Sequence, residues 1–176
     1  MKEVVSLCRT FDVIGLLEVH GSRASLQSIL GDACRSHLLF HSPFLENSRC
    51  RGDKGGVAIL VSKALLGSGL GDPSFRILDM FQDIIPGRAA RVAIPAGKNS
   101  SFACTFVHNH DLSSQQMYIL SQSIYGDIRN SQASPPVLLV GMCLLGDFNI
   151  EARGEERFHF SSPDEGLVVG LSLIHI

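Results

Sequence analysis

Short apolar runs punctuated by polar clusters set the layout of the chain. Residues 1–10 carry a weak helical spacing through Val4, Val5 and Cys8, and lead into Val13-Ile14-Gly15-Leu16-Leu17, a short buried-strand candidate closed by Glu18. Over 22–36, Leu26, Ile29, Leu30, Ala33 and Cys34 recur at helical intervals behind Ser22 or Ser25 as N-cap. That spacing predicts one amphipathic helix packed on a sheet, with Gly31 tolerated inside it at small cost. A strand over 38–44 is halted by Pro43, a polar loop follows over 46–56, and Gly55-Gly56 opens a second buried strand over 57–61. The absent side chains there let another group come close to the backbone.

Farther on, Gly67-Ser68-Gly69-Leu70-Gly71 exposes backbone N–H groups as a phosphate-binding loop does, but Asp72-Pro73 and the strand-like 75–78 deny it the helix such a loop must open. It is therefore expected to be a turn. The runs 88–94 and 101–107, joined by Gly97-Lys98-Asn99-Ser100, predict an antiparallel hairpin. Its second strand ends in His108-Asn109-His110-Asp111. The pattern Ser113-Ser114-Gln115-Gln116 then opens a helix marked by Met117, Leu120, Ile124 and Ile128 as far as Asn130.

The stretch 137–150 organises the rest. Its apolar run is too short to span a bilayer and ends in Gly146-Asp147-Phe148-Asn149, so a buried strand delivers a carboxylate and an amide to its exit. In an extended backbone Asp147 and Asn149 face the same way. Glu18 closes an earlier strand in the same fashion, and two strands that each finish in an acid supply the oxygen donors that a hard divalent cation requires. His108 can polarise a phosphate or move a proton at neutral pH, and Asn109 offers both donor and acceptor. Arg51 and Lys54, in the 46–56 loop, can meet phosphates or simply stay solvated, and His20 reads as a polar loop residue.

Composition narrows the field. A chain of 176 residues, 45% hydrophobic, holds one ordinary core, and a net charge of −2 gives no broad basic field for sequence-independent grip on nucleic acid. Five scattered cysteines with no C-x-x-C pair disfavour a disulfide framework and a structural zinc site, which fits an intracellular, cytoplasmic or nuclear setting. No segment is expected to act as a signal peptide or membrane span, and nothing calls for an organic cofactor.

Taken in order, Asp-Val-Ile-Gly-Leu-Leu-Glu-Val-His (12–20), Gly-Asp-Lys-Gly-Gly-Val-Ala-Ile-Leu-Val-Ser (52–62), Phe-Val-His-Asn-His (106–110) and Gly-Asp-Phe-Asn (146–149) resemble the endonuclease/exonuclease/phosphatase family. The resemblance runs from about Asp12 to Asn149. It implies an α/β, DNase I-like four-layer sandwich of two packed mixed sheets flanked by helices, and cleavage of phosphodiester or phosphomonoester bonds with Mg2+ or Mn2+. By the same resemblance Glu18 matches the metal-binding glutamate, Asp147 the acid that positions the attacking water, Asn149 the amide that steadies the phosphate, and His108 a substrate-facing polar position.

Departures from the family pattern shape the remaining expectations. Its first strand, ending in a metal-binding Asn, and its closing Ser-Asp-His motif are not matched, so residues 1–176 are expected to be one partial domain with core 12–150 and an unrelated tail over 151–176. The strand before Asp147 looks too long, as if residues 140–144 had been inserted, and either a register slip or a bulge must absorb them. The resulting expectation is a nuclease-like phosphodiester hydrolase with impaired turnover, acting on a phosphodiester, most simply nucleic acid. A non-catalytic remnant serving as an interaction module is the alternative. A doubly wound nucleotide-binding domain built on 67–71 is a third reading, disfavoured by Pro73.

Overall fold

The structure, a computed structural model, describes residues 2–43, 55–67, 80–97, 100–109, 112–130 and 138–147. In chain order these form α1 (Lys2–Leu7), β1 (Val13–Leu17), α2 (Arg23–Ile29), α3 (Gly31–Ser36), β2 (His37–Ser42), β3 (Val57–Ser62), α4 (Lys63–Leu66), β4 (Phe81–Ile85), β5 (Ala89–Gly97), β6 (Ser100–His108), α5 (Ser114–Asn130) and β7 (Leu138–Asp147).

Two sheets result, one ordered β1-β3-β2 and the other β4-β5-β6-β7. The first is antiparallel in its three described strands, while the second is mixed because β6 and β7 run parallel. β3 explains why the first sheet sits inside the molecule. All six of its residues are buried, and the period-2 alternation of a strand splits them between two cores. Val57, Ile59 and Val61 join Phe40, Ala90, Val92, Ile94, Cys104 and Phe106 between the sheets. Ala58 and Leu60 turn the other way and pack with Ile14, Leu39, Leu26, Leu30 and Ala33, under α2 and α3 with α1 alongside. The outer face of the second sheet, Ile85, Ala89 and Val107, is covered by Leu120 and Ile124 of α5. Helices, sheet, sheet and helix therefore stack as the four expected layers.

Several local expectations change. The helix over 22–36 is two helices: Leu30, with φ −93° and ψ 17°, caps α2 and starts α3. Gly31 marks this break instead of sitting within a continuous helix, and glycine's weak helix propensity makes the interruption cheap. Ser22 is the N-cap, accepting from the Ser25 N–H. α4 and β4 appear where no element was expected, and β4 closes on β5 through Ile85-Pro86-Gly87-Arg88. There the Arg88 N–H donates to the Ile85 carbonyl at 2.8 Å and Gly87 has φ 68°. Proline followed by a positive-φ glycine is the signature of a type II turn.

The predicted hairpin forms and extends to β5 and β6. In the strand that seemed too long, Ser101 pairs with Leu139 and Phe102 with Gly141, so Val140 is left over as a bulge and the register from Gly141 to Asp147 runs on undisturbed. The bulge alternative holds. The 46–56 loop up to Lys54, residues 68–71 of the glycine run, the strand expected over 75–78, and the tail over 151–176 lie outside the described residues.

Candidate active site

β1 brings Glu18 to the rim of the sandwich and then turns sharply. Glu18 has φ 56°, the positive-φ position among the described non-glycine residues. A backbone in that region costs on the order of 1–3 kcal/mol and persists only where its surroundings impose it. Gly56, just before β3, imposes it here: its carbonyl accepts the Val19 N–H at 3.1 Å. Gly56 itself has φ 131°, and a Cβ built on it would lie 1.9 Å from the Val19 carbonyl oxygen. The Gly-Gly opening of β3 was expected to let something approach the backbone; what approaches is the chain turn that carries Glu18.

From that turn the Glu18 side chain, 66% exposed, reaches back to the last residue of β6: Glu18 Oε1 lies 3.3 Å from His108 Nε2, on a ring only 2% exposed. The other side of the ring meets Arg88, whose Nη1 is 3.2 Å from His108 Nδ1. A guanidinium has no acceptor, so Nδ1 accepts and the ring proton sits on Nε2, facing the carboxylate. The backbone closes the same circuit, since the His108 N–H donates to the Arg88 carbonyl at 2.8 Å. Carboxylate, imidazole and guanidinium thus form a row across the rim, and the row fixes the tautomer of a histidine that composition alone left free to titrate.

Asp147 arrives by register. On the parallel β6–β7 ladder it is the partner of His108, with Gly146 beside Val107, and neighbouring strands lie about 4.8 Å apart. Gly146 permits that approach, because a Cβ there would fall 1.9 Å from the Val107 carbonyl oxygen. β1 lies against both β6 and β7. The backbone positions of Glu18 and Asp147, from opposite halves of the chain, therefore share one rim with His108 between them.

Of the other sequence-derived candidates, Asn109 follows directly on β6 and is half-buried, and His20 is exposed two residues past Glu18. Asn149, Arg51 and Lys54 lie outside the described residues. His108 is buried, and its ring nitrogens face Glu18 and Arg88. Arg88 was not among the candidates; the Pro86-Gly87 pair just before it, a turn signal in the sequence, was not read either. Among the described residues no group of three or more His, Cys, Asp or Glu side chains gathers as a metal cage. Glu18 nevertheless offers a hard carboxylate oxygen largely open to solvent, and Mg2+ is held by one or two carboxylates while keeping several waters. The donor set fits that mode of binding and not a zinc site. No described helix is long and apolar enough to cross a membrane.

No curated protein matches the chain. The family model described as Endonuclease/Exonuclease/phosphatase family matches residues 1–167, a span that includes β1 with Glu18, β6 with His108 and β7 with Asp147. On that match, joined to the four-layer sandwich, the chain belongs to the endonuclease/exonuclease/phosphatase family, whose members hydrolyse phosphodiester or phosphate-ester bonds.

Proposed function

We propose that this chain is a Mg2+- or Mn2+-dependent phosphodiester hydrolase of nuclease type, working as one domain with its site at the rim. The observation that carries the reading is the convergence of Glu18, His108 and the backbone position of Asp147 on a single edge, reached from three separate strands. Glu18 would hold the cation, together with Asp147 or waters. When bound, such an ion withdraws charge from a phosphoryl oxygen and stabilises an in-line displacement.

The chain's own groups divide the remaining work. His108, donating from Nε2, restrains the Glu18 carboxylate so that it does not swing into solvent. Arg88 fixes the His108 tautomer and adds positive charge near the place where a phosphate would sit, the kind of electrostatic support that rises in value as negative charge develops. Asp147 orients the attacking water, Asn149 steadies the phosphate by its amide, and Asn109, Arg51 and Lys54 contact flanking phosphates of a nucleic-acid substrate. Losing a general base typically removes a factor of about a hundred to ten thousand in rate. Reduced turnover belongs to the proposal, and metal binding is the more direct test.

Saturating Mg2+ or Mn2+ is expected to raise the melting temperature, since a ligand at about one hundred times its Kd stabilises by about 2.7 kcal/mol. Glu18→Ala should abolish the shift, measured against that variant's own metal-free melting curve, which drops because the buried His108 Nε2 loses its carboxylate partner. Unchanged melting with both metals would overturn the reading. Metal-dependent nicking of plasmid DNA by the purified chain would exclude a purely non-catalytic module.

A further inference from the structure

Ser42 ends β2 with no exposed surface, beside Val57 in the β2–β3 register and thus next to Gly56. Its hydroxyl donates to Asp83 Oδ1 of β4 at 2.7 Å and accepts the Gly87 N–H, also at 2.7 Å. A hydroxyl carries one proton. With that proton committed to the Asp83 carboxylate, a lone pair is left facing Gly87, so the carboxylate orients the acceptor for the turn.

From Gly87 two lines of hydrogen bonds run to the rim. In one, the Gly56 N–H donates to the Gly87 carbonyl at 2.9 Å and the Gly56 carbonyl accepts from Val19, the residue after Glu18. In the other, the next residue, Arg88, holds His108 through its carbonyl and its guanidinium, and His108 faces Glu18. Both lines converge on Glu18, one through its backbone and one through its carboxylate. Neither Ser42 nor Asp83 makes a hydrogen bond to Glu18 or His108 among the described contacts; the hydrogen bonds that link them to the rim run through the Pro86–Gly87–Arg88 turn.

We infer that Ser42 and Asp83 are positioning residues for the rim site, clamping the β4–β5 turn so that Arg88, His108 and Glu18 keep their mutual geometry. The inference rests on the hydrolase reading for its catalytic meaning, but its geometry is testable without activity. The pair joins both sheets: Ser42 belongs to the first, Asp83 to the second, and Gly87 to the turn between the second sheet's β4 and β5. The two halves of the site, Glu18 from the first sheet and His108 from the second, are thereby indexed to each other by a hydroxyl that touches neither.

The test uses the isotope-labelled full chain, following amide exchange at Gly87, Gly56 and Val19 relative to Ile59 in the core, and the ring nitrogen resonances of His108. Ser42→Ala leaves the Gly87 N–H without its acceptor. Its exchange should rise about tenfold relative to Ile59, the equivalent of one buried hydrogen bond, and the His108 nitrogens should move from a single tautomer toward a mixture. Asp83→Asn, with Ser42 intact, keeps an oxygen that can accept from the hydroxyl and should retain wild-type values. Asp83→Ala, at an exposed position, should move the same resonances in the same direction as Ser42→Ala.

A folded Ser42→Ala with Gly87 protection and His108 resonances unmoved would overturn the inference, as would a silent Asp83→Ala. Should Ser42→Ala fail to fold, Asp83→Ala decides alone. Parallel Mg2+-dependent plasmid cleavage separates the two readings. A fall in kcat with little change in KM in both Ser42→Ala and Asp83→Ala, absent from Asp83→Asn, supports both. Absence of cleavage in the wild-type chain counts against the hydrolase reading, while exchange and tautomer still judge the pair.

Discussion

His41 lies on the outer face of β2, beside Arg23 and within reach of the Asp83 charge. Its Nε2 is shut off from solvent with no hydrogen-bond partner among the described residues. Burial pushes the imidazole below its ordinary value, Arg23 pushes it further down, and Asp83 opposes them. As pH falls past 6.5, the unfolded chain takes up a proton that folded His41 still refuses. Stability from this site is therefore whole above 6.5 and is lost as pH drops toward the lowered folded value. His41→Gln should flatten the corresponding stretch of a melting-temperature profile taken from neutral to mildly acid pH, and equal slopes for both proteins would contradict the assignment. Glu18, His108 and Asp147 were legible as residues because acids and a histidine at strand exits stand out against apolar runs. Arg88 was not, since an arginine after Pro-Gly has no chemical signature until the ring it touches is known.

At the scale of elements, local sequence sufficed wherever the deciding contacts are local. Ser113 and Gln116 form a reciprocal capping box, the Ser113 N–H donating to Gln116 Oε1 at 2.9 Å and the Gln116 N–H to Ser113 Oγ at 3.2 Å. Ser113→Ala should cost about 1 kcal/mol in urea unfolding, and a loss below a few tenths would mean that α5 is held by packing alone. The existence of β3 and of the hairpin followed from apolar length and turn residues, although the hairpin strands run on to Gly97 and from Ser100. By contrast, the break at Leu30 and strand β4 depend on surfaces the segments meet. Phe81-Gln82-Asp83-Ile84-Ile85 carries a bulge between Asp83 and Ile85 against β5, which blurs the alternation that would have marked it as a strand. Phe81 nonetheless stacks on Phe40 of the other sheet, ring centroids 5.6 Å apart.

The whole molecule depends on how closely the two sheets approach near the site. Gly15 sits opposite Phe106, and a Cβ on Gly15 would fall 2.0 Å from Phe106 Cδ1. The ring occupies the space a side chain would take. Gly15→Ala should destabilise by roughly 1–3 kcal/mol through overpacking. Combined with Phe106→Leu, the loss should be less than the sum of the two single losses by about 0.5 kcal/mol or more, because the smaller side chain relieves the clash. Strict additivity in a double-mutant cycle would show that the sheets adjust independently of this contact.

The sequence alone determined which segments are apolar enough to be buried, which of them end in acids, and that the strand before Asp147 carries surplus length; each is a property of side-chain hydrophobicity and local backbone preference. Only the tertiary structure decided that Val140 absorbs that surplus, that Glu18 meets His108 while Asp147 stands beside it in register, and that Gly56 and Gly87 hold the turn. Those outcomes rest on contacts between segments far apart in the chain, where strand pairing and sheet packing set distances that no local pattern encodes.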